Sequence, residues 1–230
     1  MLRNLVHIHQ TAELAERVLL PGDPGRALRL AQELLESPKM LNHNRGLWGY
    51  TGTAPDGEPL SIQSTGMGGP SAAIVVTELI ELGARRLLRV GTCGGLAHEL
   101  KLGQILVVDA ALADDGTSQA LGGHPPLGRV AAPGILTNAL LSDGGQPATV
   151  VSADLFYDSD DRVPGWIAAG AVAVEMEAAT VFTVAARHGV EAGCALLVSN
   201  ILGDERYIEP QALHAAELAL GGLAIAALSS

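Results

Sequence analysis

Short apolar segments alternate with helical segments along most of this chain, and several of the apolar segments end in glycine-rich or polar residues. We predict strands at 17–20, 47–52, 60–65, 86–90, 105–111, 148–152, 171–174 and 192–199. We predict helices at 26–35, 71–82, 177–188 and 210–228. Such alternation with short connections is typical of α/β folds. We therefore predict three layers, with a central mixed β-sheet flanked by helices, forming one domain over residues 1–230.

The connections after the predicted strands are where a site is expected, because ligands bind α/β sheets beyond the carboxyl ends of strands. The segments to inspect follow Leu20, Thr65, Val90, Ser152, Val174 and Ser199. The interval 113–128 is rich in Gly, Asp, Pro and Ser, and we predict an irregular loop there.

Charge and apolar patterning exclude two kinds of partner. The formal net charge is −11, whereas nucleic-acid binding needs clustered cations, so we predict no nucleic-acid partner. The apolar run at 218–228 contains two glycines and falls short of a membrane span, so we predict no membrane association. The two cysteines, Cys93 and Cys194, form no disulfide framework, and we expect a cytoplasmic protein.

Two strand-to-helix segments can bind an anion. In PGDPGR (21–26), Gly22 allows close backbone approach, the following helix offers N-terminal amides, and Arg26 adds a positive charge. In RVGTCGG (89–95), Arg89 interrupts an apolar strand and needs an acidic partner or an anion, while Thr92 and the glycine amides can form a nest. The alternatives are a proline-containing turn and an arginine on an exposed strand face.

Four further segments are less specific when taken alone. Arg45 can be a solvated loop residue, and STGMGGPS (64–71) can be a tight turn before a helix. Glu175 and Glu177 share one face of an extended segment and suit a ribose diol, but Glu177 also suits a helix N-terminus. Asn200 carries a donor and an acceptor for an amide-like edge, yet it can equally cap a strand.

Metal and nucleotide-cofactor motifs are not found. The histidines show no convincing ligand spacing, and the pair His7 and His9 suits an exposed strand better than a metal. The glycine strings match neither a Walker loop nor a dinucleotide fingerprint, and there is no nucleophile elbow. We predict no metal and no cofactor.

Seven segments in order resemble the nucleoside phosphorylase family, which includes bacterial hexameric purine nucleoside phosphorylases and uridine phosphorylases. They are PGDPGRA (21–27), NRGLWGYTG (44–52), STGMGGPSA (64–72), LLRVGTCGG (87–95), SADLFY (152–157), VEMEAA (174–179) and VSN (198–200). Each is weak alone, but seven in order across almost the whole chain are specific. The resemblance implies phosphorolysis of purine nucleosides to free base and ribose 1-phosphate, with inorganic phosphate as a co-substrate.

The resemblance assigns roles position by position. The residues implied to bind phosphate are Gly22, Arg26, Arg89, Thr92 and, from a neighbouring subunit, Arg45. Those implied to line the ribose are Met67, Glu175, Met176, Glu177 and, across a subunit interface, His7. Those implied to face the base are Phe156, Ser199 and Asn200. Arg26, Arg89 and Asn200 are the implied catalytic residues, and the resemblance also implies a homohexamer built as a trimer of dimers.

Asn200 departs from a familiar pattern of this family. Many bacterial hexameric members have Asp here as a proton donor, with a helper arginine in the following helix, whereas Arg206 of this chain is out of register. An amide cannot deliver a proton, but it can donate to N7 or O6 while accepting from N1–H. We therefore expect guanosine and inosine to be preferred over adenosine.

Two relatives of the same fold remain as alternatives. Uridine phosphorylases carry a longer insertion after the FY motif, and this chain has little room for it around 158–162. Hydrolytic nucleosidases lack the phosphate arginines, which are present here as Arg26, Arg45 and Arg89. A non-catalytic relative is disfavoured because the phosphate and ribose positions are filled.

Overall fold

The computed structural model describes residues 5–142, 144–157, 160–204 and 206–230. Its strands are β1 Arg17–Leu20, β2 Glu36–Asn42, β3 Gly49–Thr53, β4 Pro59–Gln63, β5 Arg86–Gly95, β6 Ile105–Asp114, β7 Gly128–Ala131, β8 Gln146–Ala153, β9 Ala173–Glu175 and β10 Glu191–Ile201. Its α-helices are α1 Pro24–Leu34, α2 Gly69–Glu81, α3 Gly116–Gly122, α4 Gly134–Ser142, α5 Val163–Ala168, α6 Ala178–His188 and α7 Pro210–Ser229.

One mixed sheet runs through the molecule. Its order is β10-β6-β8-β9-β5-β1-β4-β3-β2, with β7 added beside β6. Strand β10 also pairs in parallel with β5, so β10, β6, β8, β9 and β5 close into a ring. Strands β1, β4, β5 and β10 run parallel, which brings their carboxyl ends to the same edge.

Helices cover the sheet from two sides. One core cluster joins the sheet to α2 and α6 through residues such as Val75, Leu79 and Phe182. A second joins it to α1, α4 and α7, and includes Leu30 and Leu220. The prediction of a mixed sheet flanked by helices is therefore confirmed.

Several local predictions are wrong. The interval 113–128 is not an irregular loop, because β6 continues to Asp114 and α3 occupies Gly116–Gly122. Strand β5 does not stop at Val90 but continues through its glycines to Gly95, where it pairs with β10 and β9. The predictions also omitted β2, β7, α4 and α5, which are short, edge-lying or weakly patterned.

Helix α7 is long and apolar enough to span a membrane by length and composition, with mean hydropathy 1.5. In this fold it packs against α1 and α4 and onto β10. Leu220, Ala224 and Leu228 are buried there. The helix therefore serves as one of the covering layers of the sheet.

Candidate active site

The candidate site lies where the carboxyl end of β1 meets the middle of β5. Leu20 pairs with Arg89 at the end of β1, and the chain then turns into Gly22. A Cβ placed on Gly22 would lie 3.2 Å from the Gly66 carbonyl oxygen and 3.9 Å from Nη1 of Arg89. The backbone therefore approaches this arginine closely from two glycine-containing loops.

Arg89 is a buried cation in a central strand, with its side chain only 5% exposed. Its Nε donates to Glu175 at 3.1 Å, and its Nη2 lies 3.1 Å from Glu175 and 2.5 Å from Glu177. Although burial opposes the charge, the two carboxylates outweigh it and raise the pKa of Arg89. Among the described residues no side chain or carbonyl accepts from Nη1, which is the nitrogen nearest Gly22.

Glu175 is committed to protein donors. Besides Arg89, its carboxylate accepts from the Ser152 hydroxyl and from the backbone amides of Glu177 and Ala178 at 2.8 and 3.0 Å. The amides belong to the N-terminus of α6, where an anion is favoured. The Glu175 side chain is only 1% exposed. This arrangement makes Glu175 a structural partner of Arg89 and leaves its carboxylate little capacity to bind a ribose.

Glu177 bridges two loops at the same point. Its Oε1 accepts from the Gly68 amide at 2.5 Å while Oε2 contacts Arg89. Burial raises the pKa of Glu177, Arg89 opposes that shift, and the neighbouring Glu175 adds to it. Glu177 occupies the N-cap position of α6 but its side chain makes no capping hydrogen bond. The carboxylate is instead directed at Arg89 and at the Gly68 amide.

The start of α1 differs from the sequence prediction. Its amides were expected to be free for an anion, but the Asp23 carboxylate accepts from the amides of Gly25 and Arg26 at 3.0 and 2.8 Å. The helix N-terminus is therefore already neutralised by its own cap. Arg26 directs Nε to the Glu217 carboxylate of α7 at 2.7 Å, so the structure pairs Arg26 with α7 and not with Glu177.

The predicted glycine nest after Arg89 is also corrected. Gly94 and Gly95 lie in the strand ladder, and a Cβ on either would collide with Leu202 or Ile201 at 2.4 and 2.7 Å. These glycines are needed for close packing of β5 on the end of β10. Thr92 lies half-buried in the same strand.

Ser199 and Asn200 lie at an irregularity where β10 shifts its register against β5. Such bulges redirect side chains at the ends of strands. The Ser199 hydroxyl lies 3.2 Å from the Cys93 carbonyl and 3.1 Å from Oδ1 of Asn200. Both side chains are half-buried, so this strand end can present an amide to a ligand.

The apolar residues predicted around the nucleoside are strongly exposed. Met67 is 84% and Phe156 74% exposed, and Phe156 stacks edge-on against Tyr157. Met176 is half-buried between the two glutamates. Large apolar side chains that stay exposed beside a polar cluster are suited to cover a ligand or a second protein surface.

His7 lies away from this cluster, close to the segment that carries Arg45. The side chain of Asn44, next to Arg45, donates to the His7 carbonyl at 3.1 Å, and His7 Nδ1 lies 2.8 Å from Glu78 of α2. Gly68 contacts Glu177 just before α2 begins, and Glu78 is nine residues beyond Gly69, or about 14 Å along the helix at its usual rise. His7 therefore cannot serve the ribose position of its own chain.

Three partners at the site were not predicted: Ser152, Gly68 and Glu217. Ser152 and Gly68 lie inside segments that carried the resemblance. The sequence therefore pointed to these segments, but not to the contacts that the two residues make with Glu175 and Glu177. Glu217 sits in an apolar helix where a lone carboxylate was a usable signal. The remaining roles, those of Thr92, Met67, Met176, Phe156 and Asn200 among them, stay predictions.

The fold and the strand-end cluster define an α/β protein with a buried arginine held between two carboxylates and glycine-rich loops. A family model described as the phosphorylase superfamily matches residues 16–225. The chain therefore belongs to the phosphorylase superfamily.

Several curated relatives have one printed name, purine nucleoside phosphorylase DeoD-type. The relative from Exiguobacterium sp. is 38% identical over 205 residues, covering 86% of both chains. The relative from Geobacillus kaustophilus is 37% identical over 221 residues, covering 89% of this chain and 90% of its own. The relative from Bacillus subtilis is 37% identical over 213 residues, covering 89% and 91%.

Proposed function

We propose that this protein cleaves purine nucleosides with inorganic phosphate, releasing the free base and ribose 1-phosphate. The observation that carries the proposal is the buried contact of Arg89 with Glu177, beside Gly22 and the Gly68 amide. It supports the proposal because a cation suited to phosphate lies next to a carboxylate suited to ribose hydroxyls. The nature of the nucleoside is supported by the names of the relatives.

The chemistry needs no nucleophile from the protein. A phosphate oxygen attacks the anomeric carbon as the bond to the purine breaks, and the base leaves with the bonding electron pair. The proton that hydrogen phosphate loses on forming the ester balances the proton that the base gains. Arg89 and the other arginines orient the phosphate, and Glu177 holds the sugar, so their main contribution is positioning.

Charge must be rearranged when the ligands bind. Glu175 and Glu177 both contact Arg89. A phosphate dianion beside this trio needs further cations, and Arg26 with a neighbour's Arg45 supplies them. A ribose diol donating to Glu177 stabilises its ionised form against the pKa rise that burial causes.

The protein acts as a homo-oligomer in this proposal, a hexamer built as a trimer of dimers. His7 contacts Glu78, about 14 Å along α2 from the contact of Glu177, and Asn44, next to Arg45, donates to the His7 carbonyl. This distance supports a role for His7 in a neighbour's site, and we assign the same role to Arg45. We place the protein in the cytoplasm and assign it to nucleoside metabolism, with purine recovery as its role.

Asn200 sets the preference for the base. Its Oδ1 lies by the Ser199 hydroxyl, which leaves the NH₂ group to donate to N7 or O6 of a 6-oxopurine. A 6-amino group puts a second donor opposite the NH₂ group of Asn200, where a 6-oxopurine has the acceptor O6. The two donors cannot pair, so adenosine is disfavoured.

Substrate profiling with and without phosphate tests the proposal. We expect inosine and guanosine to be cleaved only with phosphate, with ribose 1-phosphate as the sugar product, and adenosine to be cleaved at least tenfold more slowly. The Asn200→Asp variant should gain activity on adenosine. Free ribose formed without phosphate, or faster cleavage of uridine, would replace the proposal by hydrolysis or by uridine phosphorolysis.

A further inference from the structure

Glu217 is a buried carboxylate that the proposed chemistry does not use. It lies in α7, is 4% exposed, and its neighbours along the helix are largely apolar. Its two oxygens accept from Arg26 Nε at 2.7 Å and from Arg29 Nη2 at 2.9 Å. A carboxylate buried to this degree is costly unless it is paired, and these two arginines supply the pairing.

The packing of α1 on α7 fixes this pairing. Arg26, Leu30 and Leu34 are spaced by four along α1 and so share one face of it, and Glu217 and Gly221 do the same on α7. A Cβ on Gly221 would lie 2.6 Å from Leu34 and 2.9 Å from Leu30. The glycine therefore lets the helices approach closely, and Glu217, one turn earlier, meets Arg26.

The contact uses only one edge of the Arg26 guanidinium. Nε is bound to Glu217, and within the described ranges nothing accepts from Nη1 or Nη2. Arg26 lies in the first turn of α1, four residues after Gly22, and Gly22 lies against Nη1 of Arg89. The amides of that turn are taken by Asp23, so the Arg26 side chain must deliver the positive charge of this segment.

We propose that Glu217 is a positioning residue for phosphate, which holds the Arg26 guanidinium so that its two terminal nitrogens face the anion. The inference rests on the proposed function and deepens it. Arg29 donates to the second oxygen of Glu217, so each arginine has an oxygen of its own. A guanidinium binds an oxyanion through paired N–H groups that lie in one plane. Fixing Nε therefore fixes the direction in which the two terminal nitrogens donate.

The test is a comparison of Glu217→Gln with Arg29→Met. Glutamine keeps the size of the side chain but has one acceptor oxygen for two arginines. We expect the KM for phosphate of Glu217→Gln to rise about tenfold, as expected for a weakened hydrogen bond between charged groups, while the KM for inosine stays within twofold. Glu217→Met, which removes both acceptors, should raise the phosphate KM further.

Arg29→Met is the matched control, because it also breaks a contact of Glu217 but leaves Arg26 in place. We expect its phosphate KM to stay within threefold, even if its melting temperature falls. Phosphate binding without turnover gives a second readout, since bound phosphate raises the melting temperature of the wild-type protein. That rise should be smaller for Glu217→Gln than for Arg29→Met at the same phosphate concentration.

Three results would overturn the inference: an unchanged phosphate KM in Glu217→Gln, a lowered one, or equal rises in Glu217→Gln and Arg29→Met. A lowered KM would mean that Glu217 competes with phosphate for Arg26. Failure of the proposed function looks different, because the wild-type protein itself would then show no phosphate-dependent cleavage.

Discussion

The Arg89 cluster and the surface that carries His7 and Arg45 both contain an arginine, but the two arginines differ in burial and in pairing. Arg89 is 5% exposed and contacts two buried carboxylates. Arg45 is exposed, sits in a left-handed conformation with φ 56°, and has no ion-pair partner among the residues described. The charges of the first region are paired within one chain, whereas the Arg45 side chain is open to solvent, to a ligand or to another chain. Changes in the first region should therefore affect folding and activity together, whereas loss of Arg45 should affect activity alone.

Loss of Arg89 should have the largest effect. In Arg89→Met two buried carboxylates keep no cation, and we expect the free energy of unfolding to fall by about 3–5 kcal/mol. Activity should fall at least a hundredfold, as for loss of one preorganised charge contact. Denaturant unfolding and steady-state kinetics measure these effects. Near-normal stability would show that Glu175 and Glu177 are easily protonated or solvated, so that the cluster does not depend on Arg89 for its stability.

Gly91→Ala should perturb the same cluster less severely. A Cβ at this position would lie 2.9 Å from Nη2 of Arg89 and 3.1 Å from Cζ. We expect a loss of about 1–3 kcal/mol in stability from overpacking, with a clear loss of activity as the guanidinium is displaced.

Gly165→Ala is the control for that variant. A Cβ there meets nothing within 4 Å, and the residue lies in α5, so thermal unfolding should be unchanged or slightly raised. If both alanine variants behave alike in activity assays, the guanidinium position is not what limits the reaction.

Arg45→Ala should lower activity without lowering stability. Because the side chain is exposed and unpaired, we expect the free energy of unfolding to change by less than about 0.5 kcal/mol, while the phosphate KM rises. Co-expression with Glu177→Gln sharpens the test. In a mixed oligomer, a site can combine Glu177 from one chain with Arg45 from the other, so activity that neither parent shows should reappear. Absence of any such recovery would place Arg45 in its own chain's site or outside the reaction.

Glu78→Gln should give the smallest and most pH-dependent effect. Burial raises the pKa of Glu78, but hydrogen bonds from His7 and from the amides of Ile8, His7 and Val6 outweigh it and lower the pKa below that of an ordinary glutamate. A carboxyl with a lowered pKa stabilises the fold above its unfolded pKa and loses this contribution as the pH falls through its folded pKa. At pH 7 we expect the free energy of unfolding of the wild type to exceed that of Glu78→Gln by about 1 kcal/mol.

Melting temperatures of the wild type and Glu78→Gln measured from pH 7 down to pH 3 check this sign. The gap between them should shrink as the pH falls below the pKa of an unfolded glutamate, about 4.3, and through the lower folded pKa. A gap that widens with acidity would mean that the carboxylate is not what ties the N-terminal segment to α2.

The prediction of elements succeeded where apolar periodicity was strong. Strand β1 was predicted at its observed bounds, and α6 and α7 within one residue at each end. It failed at 113–128, where Asp115 caps a short helix by accepting from the amide of Ser118. Composition suggested a loop there, because the same polar residues that favour loops also cap helices.

The sequence predicted which segments form the site more successfully than which residues contact one another there. The sequence pointed to Arg89 because a cation in an apolar strand requires a partner, and Glu175 and Glu177 supply it. It could not show that Arg26 turns to Glu217. That contact joins two residues whose distance depends on the packing of α1 on α7.

The sequence by itself determined the alternation of strands and helices, the glycine-rich strand ends and the need for Arg89 to be paired, since these follow from local periodicity and from the cost of burying a charge. Only the tertiary structure decided which groups meet. Glu217 lies 191 positions from Arg26, and Glu78 lies 71 from His7. Such pairs form because sheet order and close helix packing bring distant segments together, and no local pattern encodes that distance.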